Sequence, residues 1–221
     1  MKKTNQNLVL LYMVFGAALV TANCIGSKIF DTGLTLGGAA VTLTTGAICY
    51  PITFLITDVI GELWGKKEAR LAVLGGFICQ LVSTIVIIIA RYAPAVDPNI
   101  QSSYIALLGQ NYMFTIASLT AYTCSQSWDV MMFHKVRDWY IRKHGSTKGG
   151  KWIWNNASTM TSQFWDSLIY VAIAFGIGFG WFTDRSMWLV MSNMVLAQWM
   201  FKVILAALDT PFFYWLTKEA K

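Results

Sequence analysis

Apolar residues run through this chain in stretches of about 20, the length that crosses a bilayer core, with shorter polar segments between them. The stretches fall at 8–27, 39–63, 70–92, 111–135, 153–180 and 187–216. They predict an all-α fold: one integral-membrane bundle of six transmembrane helices, forming a single domain over residues 1–221. Turn residues mark the joints, with Pro94, Asp97 and Pro98 after the third span and Gly145, Gly149 and Gly150 before the fifth. Pro51 and Pro211 fall inside spans two and six and are expected to bend them. The first span is rich in Gly and Ala, follows Lys2 and Lys3, and carries no convincing cleavage site, so it reads as a retained span rather than a signal peptide.

Composition agrees. Hydrophobic residues make up 56% of the chain and charged residues 13%, which excludes an ordinary soluble domain. The net charge of +6 is unevenly placed. Lys2, Lys3, Lys66, Lys67, Arg70, Lys135, Arg137, Arg142, Lys143, Lys148, Lys151, Lys218 and Lys221 all fall on one side of the alternating spans, against Lys28, Arg91 and Arg185 on the other. The positive-inside rule then sets both termini in the cytoplasm. The basic balance is a topology signal, and no nucleic-acid partner is expected. Cys24, Cys49, Cys79 and Cys124 lie in apolar runs without paired spacing, which fits small core residues and neither disulfides nor a metal site.

Against this background one pattern stands out. Ser-Gln-x-Trp-Asp occurs twice, as Ser125, Gln126, Trp128, Asp129 and as Ser162, Gln163, Trp165, Asp166, inside spans four and five. A carboxylate in mid-membrane costs about 2.5–3.5 kcal/mol on insertion scales, so two of them need a reason. Gln and Asp three apart share a helix face. On antiparallel spans the copies make two similar half-sites, the pseudo-symmetry that transporters use around a substrate.

Further intramembrane polar residues join them. Asp58, Asp129, Asp166 and Asp209 come from four spans, all in the half nearer the cytoplasm, and are expected to face one cavity; Glu62 lies near Asp58. Asn156, Thr159, Gln163, Asp166 and Tyr170 form a polar stripe on span five, and Asn193, Gln198, Lys202 and Asp209 another on span six. Lys202 is the one Lys or Arg away from the ends of a span, and pairing with an Asp is the cheapest cure for its charge. The remaining acids call for protons, water or a donor-rich ligand. A guanine-like heterocycle fits, since its edge sets N–H donors beside a carbonyl. Trp128 and Trp165 either stack on such a ring or pack in the core.

These residues resemble the YhhQ-type queuosine-precursor transporters, the vitamin uptake transporter family. The resemblance is carried by Thr57, Asp58, Gly61 and Glu62 with Ala69 and Arg70; by Gln126, Asp129, Val130 and Phe133; by Asn155, Asn156, Ser158, Thr159, Ser162, Gln163 and Asp166; and by Lys202 with Leu208, Asp209, Thr210 and Pro211. It implies six helices in a bacterial cytoplasmic (inner) membrane. It also implies uptake of 7-deazaguanine precursors of queuosine, in the cyano or aminomethyl form or as queuine. Position by position it implies Gln126, Asp129, Asn156, Gln163 and Asp166 as substrate ligands, supported by Lys202 and Asp209. Trp128 and Trp165 stand where the family pattern has an aliphatic residue.

Two other readings compete. A substrate-binding subunit of an energy-coupling-factor importer has similar size, and Ala18, Ala22 and Gly26 form a small-residue ridge suited to a partner helix or to internal packing. The chain has no Walker-type phosphate loop, so ATP would be hydrolysed elsewhere. A membrane enzyme with paired carboxylates is the other, but no nucleophile motif accompanies the acids, and His134 and His144 read as interfacial or solvated. The expectation is a transporter, not an enzyme, with no cofactor and no metal, whose partners are a purine-like small molecule and the lipid bilayer; monomer and homodimer are both open.

Overall fold

The structure is a computed structural model that describes residues 2–145 and 151–217. Helix α1 (Asn5–Ile25) leads into an antiparallel hairpin, β1 (Ile29–Leu36) and β2 (Ala39–Thr44), then a 3-10 turn (Thr45–Cys49) and α2 (Tyr50–Leu63). Helices α3 (Lys66–Tyr92), α4 (Pro98–Leu108), α5 (Asn111–His144) and α6 (Lys151–Val171) follow. A π-helical turn (Ala172–Ile177) and a 3-10 turn (Trp181–Thr183) connect α6 to α7 (Arg185–Thr217). Lys148, Gly149, Gly150, Lys218 and Lys221 lie outside the described residues, as do the side chains of Asn155, Asp209 and Thr210.

Among the described residues, four helical segments are long and apolar enough to cross a membrane: Asn5–Ile25, Thr45–Leu63, Lys66–Tyr92 and Arg185–Leu205. On α3 the reason is visible residue by residue. Leu74, Ile78, Leu81, Val82, Ile85 and Ile89 are exposed, as hydrocarbon-facing side chains should be. The buried face carries Ala72, Gly76, Gln80 and Thr84 at steps of four. Gly76 is required there, because a Cβ would sit 2.5 Å from the Phe15 ring. Phe15, Ile56, Ile60 and Ala72 thus knit α1, α2 and α3 into one core. A second core joins α5, α7 and the π-helical turn through Phe114, Phe175, Met191 and Met194. The turn comes close to the following segment at Gly176, where a Cβ would lie 2.4 Å from Phe182.

Four expectations need correction. Residues 39–44 are a strand, so the second span begins at Thr45; Val41, Thr42 and Thr44 are β-branched and favour the extended state, while Gly37 and Gly38, at φ +61° and +86°, make the hairpin turn. The fold is therefore mainly but not wholly α. Pro51 opens α2 instead of bending it, which costs nothing because N–H groups in a first turn have no helical acceptor. Pro211 does lie inside α7. The basic segment after residue 135 continues as helix: α5 has 34 residues, about 51 Å at 1.5 Å each, against a hydrocarbon core of about 30 Å. Lys135, Arg137, Arg142 and Lys143 ride on that extension, and Gly145 ends it at φ +65°. Cys49 is a core residue, whereas Cys79 and Cys124 are exposed; all four thiols are free.

The small-residue ridge of α1 is filled from within. A Cβ on Gly46 would lie 2.6 Å from the Ala22 carbonyl oxygen and 3.6 Å from the Gly26 Cα, so the 3-10 turn already sits on the ridge. Outside the bundle, α4 buries no side chain and is held by Gln101 Nε2 donating to the Arg91 carbonyl at 3.0 Å and Tyr104 donating to that of Ile87 at 3.2 Å.

Candidate functional site

The two copies of the repeated pentapeptide meet where α5 packs along α6, an interface more extensive than any other between helices. Their contacts are crossed. Ser125 Oγ donates to Asp166 Oδ1 at 3.4 Å, and Ser162 Oγ donates to Asp129 Oδ1 at 3.2 Å. Between these bonds the indoles of Trp128 and Trp165 pack on each other, with ring centroids 5.1 Å apart and planes at 52°. The serine, tryptophan and aspartate of one copy each find the reciprocal residue of the other, which is what a local two-fold relation between antiparallel helices produces. It also explains why neither α5 nor α6 is apolar all round: their polar faces satisfy each other.

The symmetry is broken by what lies beyond. Asp166 Oδ2 forms an ion pair with Lys202 of α7, whose side chain is 3% exposed and whose Nζ lies 5.1 Å from the centre of the Tyr50 ring. A buried ammonium gains from both a carboxylate and an aromatic face. Tyr50 in turn stacks on Phe54 at 5.9 Å.

These groups border a cavity of about 380 Å³ between the helices. Its polar lining comes from Thr53, Thr57 and Asp58 of α2, Ser118, Ser125 and Gln126 of α5, Gln163 and Asp166 of α6, and Lys202. Its aromatic lining comes from Phe15, Tyr50, Phe54, Phe77 and Tyr122, with Phe77 set edge-on to Tyr122 at 4.9 Å. The volume falls within the usual range of small-molecule sites, about 300–1,000 Å³. A larger cavity of about 490 Å³ between α6 and α7 is lined almost wholly by apolar side chains such as Leu168, Val171, Val195 and Leu196, and offers a polar ligand nothing.

The sequence-predicted residues divide accordingly. Gln126, Gln163, Asp166, Asp58 and Lys202 share the cavity. Asp129 does not line it, since its carboxylate turns to Ser162 in the α5–α6 interface. Asn156 is exposed two turns before Gln163 and is outside the lining. Trp128 and Trp165 pack together instead of facing the cavity. Asp209 belongs to α7, with its side chain outside the described residues. The expected Asp to Lys202 pair forms with Asp166.

Other polar residues were not singled out from the sequence. Tyr50 and Tyr122 supply aromatic walls with hydroxyls. Gln80, Thr84, Asn111 and Thr115 form a buried hydrogen-bonded group between α3 and α5. Gln198, which the sequence does place on the polar stripe of span six one turn before Lys202, is fully buried with neither amide atom partnered among the described residues. Leaving a buried polar group unpaired costs about 1–3 kcal/mol. The available signal was spacing, because Gln80 with Thr84 and Asn111 with Thr115 are each four apart on otherwise apolar helices.

Comparison with known proteins adds an independent line. Residues 44–216 match the model of the family described as "Putative vitamin uptake transporter". A protein of Bacillus subtilis (strain 168) described as "Probable queuosine precursor transporter" is 28% identical over 206 residues, spanning 92% of this chain and 82% of that protein. No solved structure matches.

Proposed function

This chain belongs to the vitamin uptake transporter family, a family of transporters and not of enzymes, and from that premise we propose that it imports 7-deazaguanine precursors of queuosine, the cyano or aminomethyl base or queuine. The supporting observation is that the glutamines of both repeat copies, Gln126 and Gln163, border one cavity with Asp166. A carboxamide offers a donor and an acceptor side by side, which suits the lactam N–H and C=O of the base, while Asp166 and Asp58 suit its amino groups. Tyr50, Phe54, Phe77 and Tyr122 give faces for the ring, and base–aromatic stacking contributes about 1–3 kcal/mol.

In this reading α5 and α6 also cross the membrane, their polar faces turned to each other and to the cavity, so that the single domain has six spans with both termini in the cytoplasm of a bacterial inner membrane. Substrate donors compete with Lys202 for Asp166, so binding loosens the α6–α7 ion pair and links occupancy to helix movement. The chain works without an ATPase partner; the ridge of α1 that suits a partner helix is occupied by Gly46.

The direct test is uptake of labelled 7-aminomethyl-7-deazaguanine by cells that cannot make it. Uptake should require this chain and be lost with Asp166→Asn. Unchanged uptake in that variant would remove Asp166 from the site, and uptake only in the presence of a co-expressed ATPase would restore the energy-coupling-factor reading.

A further inference from the structure

One turn beyond the cavity wall, α3 and α5 are fastened by four buried polar side chains. Gln80 and Thr84 follow the cavity residue Phe77 by three and seven positions, and Thr115 and Asn111 precede the cavity residue Ser118 by three and seven. These spacings continue the cavity-facing side of both helices. Gln80 Nε2 donates to Thr115 Oγ1 at 2.8 Å and to Thr84 Oγ1 at 3.2 Å. Thr84 donates to Asn111 Oδ1 at 3.0 Å and lies 2.7 Å from Thr115 Oγ1. Two atoms remain buried without a partner among the described residues: the acceptor Gln80 Oε1 and the donor Asn111 Nδ2.

A purely structural helix contact has no use for this arrangement, because a half-satisfied polar network is worse than apolar packing. The α3–α5 interface is also far smaller than that of α5 with α6 or of α1 with α3. Both helices line the cavity, α3 through Val73 and Phe77 and α5 through Ser118, Tyr122, Ser125 and Gln126, and Gln80 and Thr84 lie further along α3 from its start at Lys66 than its cavity residues do.

We propose that Gln80, Thr84, Asn111 and Thr115 form a second polar station on the substrate's path. Closed, they bond to one another and seal this end of the cavity. When α3 and α5 part, the spare acceptor of Gln80 and the spare donor of Asn111 receive the N–H and C=O of a neutral lactam edge, so that the base passes between two hydrogen-bonding stations without crossing a bare apolar gap. The inference rests on the transport reading above and adds to it both the moving wall and a transient site.

The test uses a chain with Cys24, Cys49, Cys79 and Cys124 changed to Ala, carrying Thr84→Cys with Thr115→Cys. Uptake of labelled 7-aminomethyl-7-deazaguanine is measured after oxidation and again after reduction. The lock should lower uptake by about tenfold, and reduction should restore it, because closure of this wall gates turnover. A cross-linked protein, shown by loss of titratable thiol, that transports as fast as its reduced form overturns the proposal. Gln80→Leu and Asn111→Leu give a second measurement. Each should raise KM by about fivefold or more at unchanged membrane content, as loss of a substrate contact does, and an unchanged KM in both is contrary. Absence of uptake by the cysteine-free parent, when the native chain transports nothing either, strikes at the transport reading and not at the station.

Discussion

Ser125 on α5 donates to Asp166 on α6, and the same bond recurs in mirror order from Ser162 to Asp129. One copy of the repeat therefore holds the carboxylate of the other. Of the two repeat carboxylates Asp166 and not Asp129 lines the cavity, so a symmetric scaffold presents an asymmetric lining, with Lys202 and Tyr50 supplying the difference.

Removing either serine should separate structure from function. Each hydrogen bond to a carboxylate contributes about 1.5–3 kcal/mol, so Ser125→Ala and Ser162→Ala should lower thermal stability in detergent by similar amounts. Ser125→Ala should also raise KM for uptake, since it frees the cavity carboxylate, while Ser162→Ala should leave KM as it is. Equal KM effects would mean that Asp129 also meets substrate.

The Asp166–Lys202 pair gives a second prediction. Breaking a buried pair from one side costs about 3–5 kcal/mol, whereas replacing both partners by apolar residues is close to neutral. Asp166→Leu alone should deplete the protein from the membrane, and Asp166→Leu with Lys202→Met should restore its amount without restoring uptake. Immunoblots of membranes beside uptake assays check both halves.

Trp128 and Trp165 are assigned to packing. Trp128→Leu should lose the aromatic pair, worth about 0.5–1.5 kcal/mol beyond buried area, and lower the melting temperature while substrate affinity per folded molecule stays the same. A variant with native melting behaviour and weakened binding would return the indole to the substrate.

Close backbone approach at Gly46 yields a stability prediction. Gly46→Ala forces a methyl group against the Ala22 carbonyl, and overpacking of this kind costs about 1–3 kcal/mol. A thermal shift of the purified variant tests it, and no shift would show that the 3-10 turn does not bear on α1 as closely as it does here.

Much of this architecture was legible as apolar length. The helices of spans one and three lie close to their predicted limits, and the twice-written pentapeptide does mark the place where α5 and α6 meet. The second span misled because Val41 to Thr44 are as apolar as the helix they precede, so hydropathy runs from the second strand of the hairpin into α2 without a break. Pro51 was read as a bend because position within a helix, not identity, decides what proline does. Inside the bundle, acids alone do not say which way they face: Asp58 and Asp166 reach the cavity, but the serine that captures Asp129 comes from another helix. The Gln80 cluster was hidden for the same reason, as two ordinary i, i+4 pairs acquire meaning only when α3 and α5 are brought together.

The central claim is that the two repeat glutamines hold one flat, donor-bearing molecule between α5 and α6. Equilibrium binding of labelled 7-aminomethyl-7-deazaguanine to purified protein, native and with Gln126→Leu plus Gln163→Leu, tests it most directly. Each lost contact to a buried ligand costs about 1–3 kcal/mol, so the paired variant, folded and monodisperse, should bind at least tenfold more weakly. Native affinity in that variant would contradict the account.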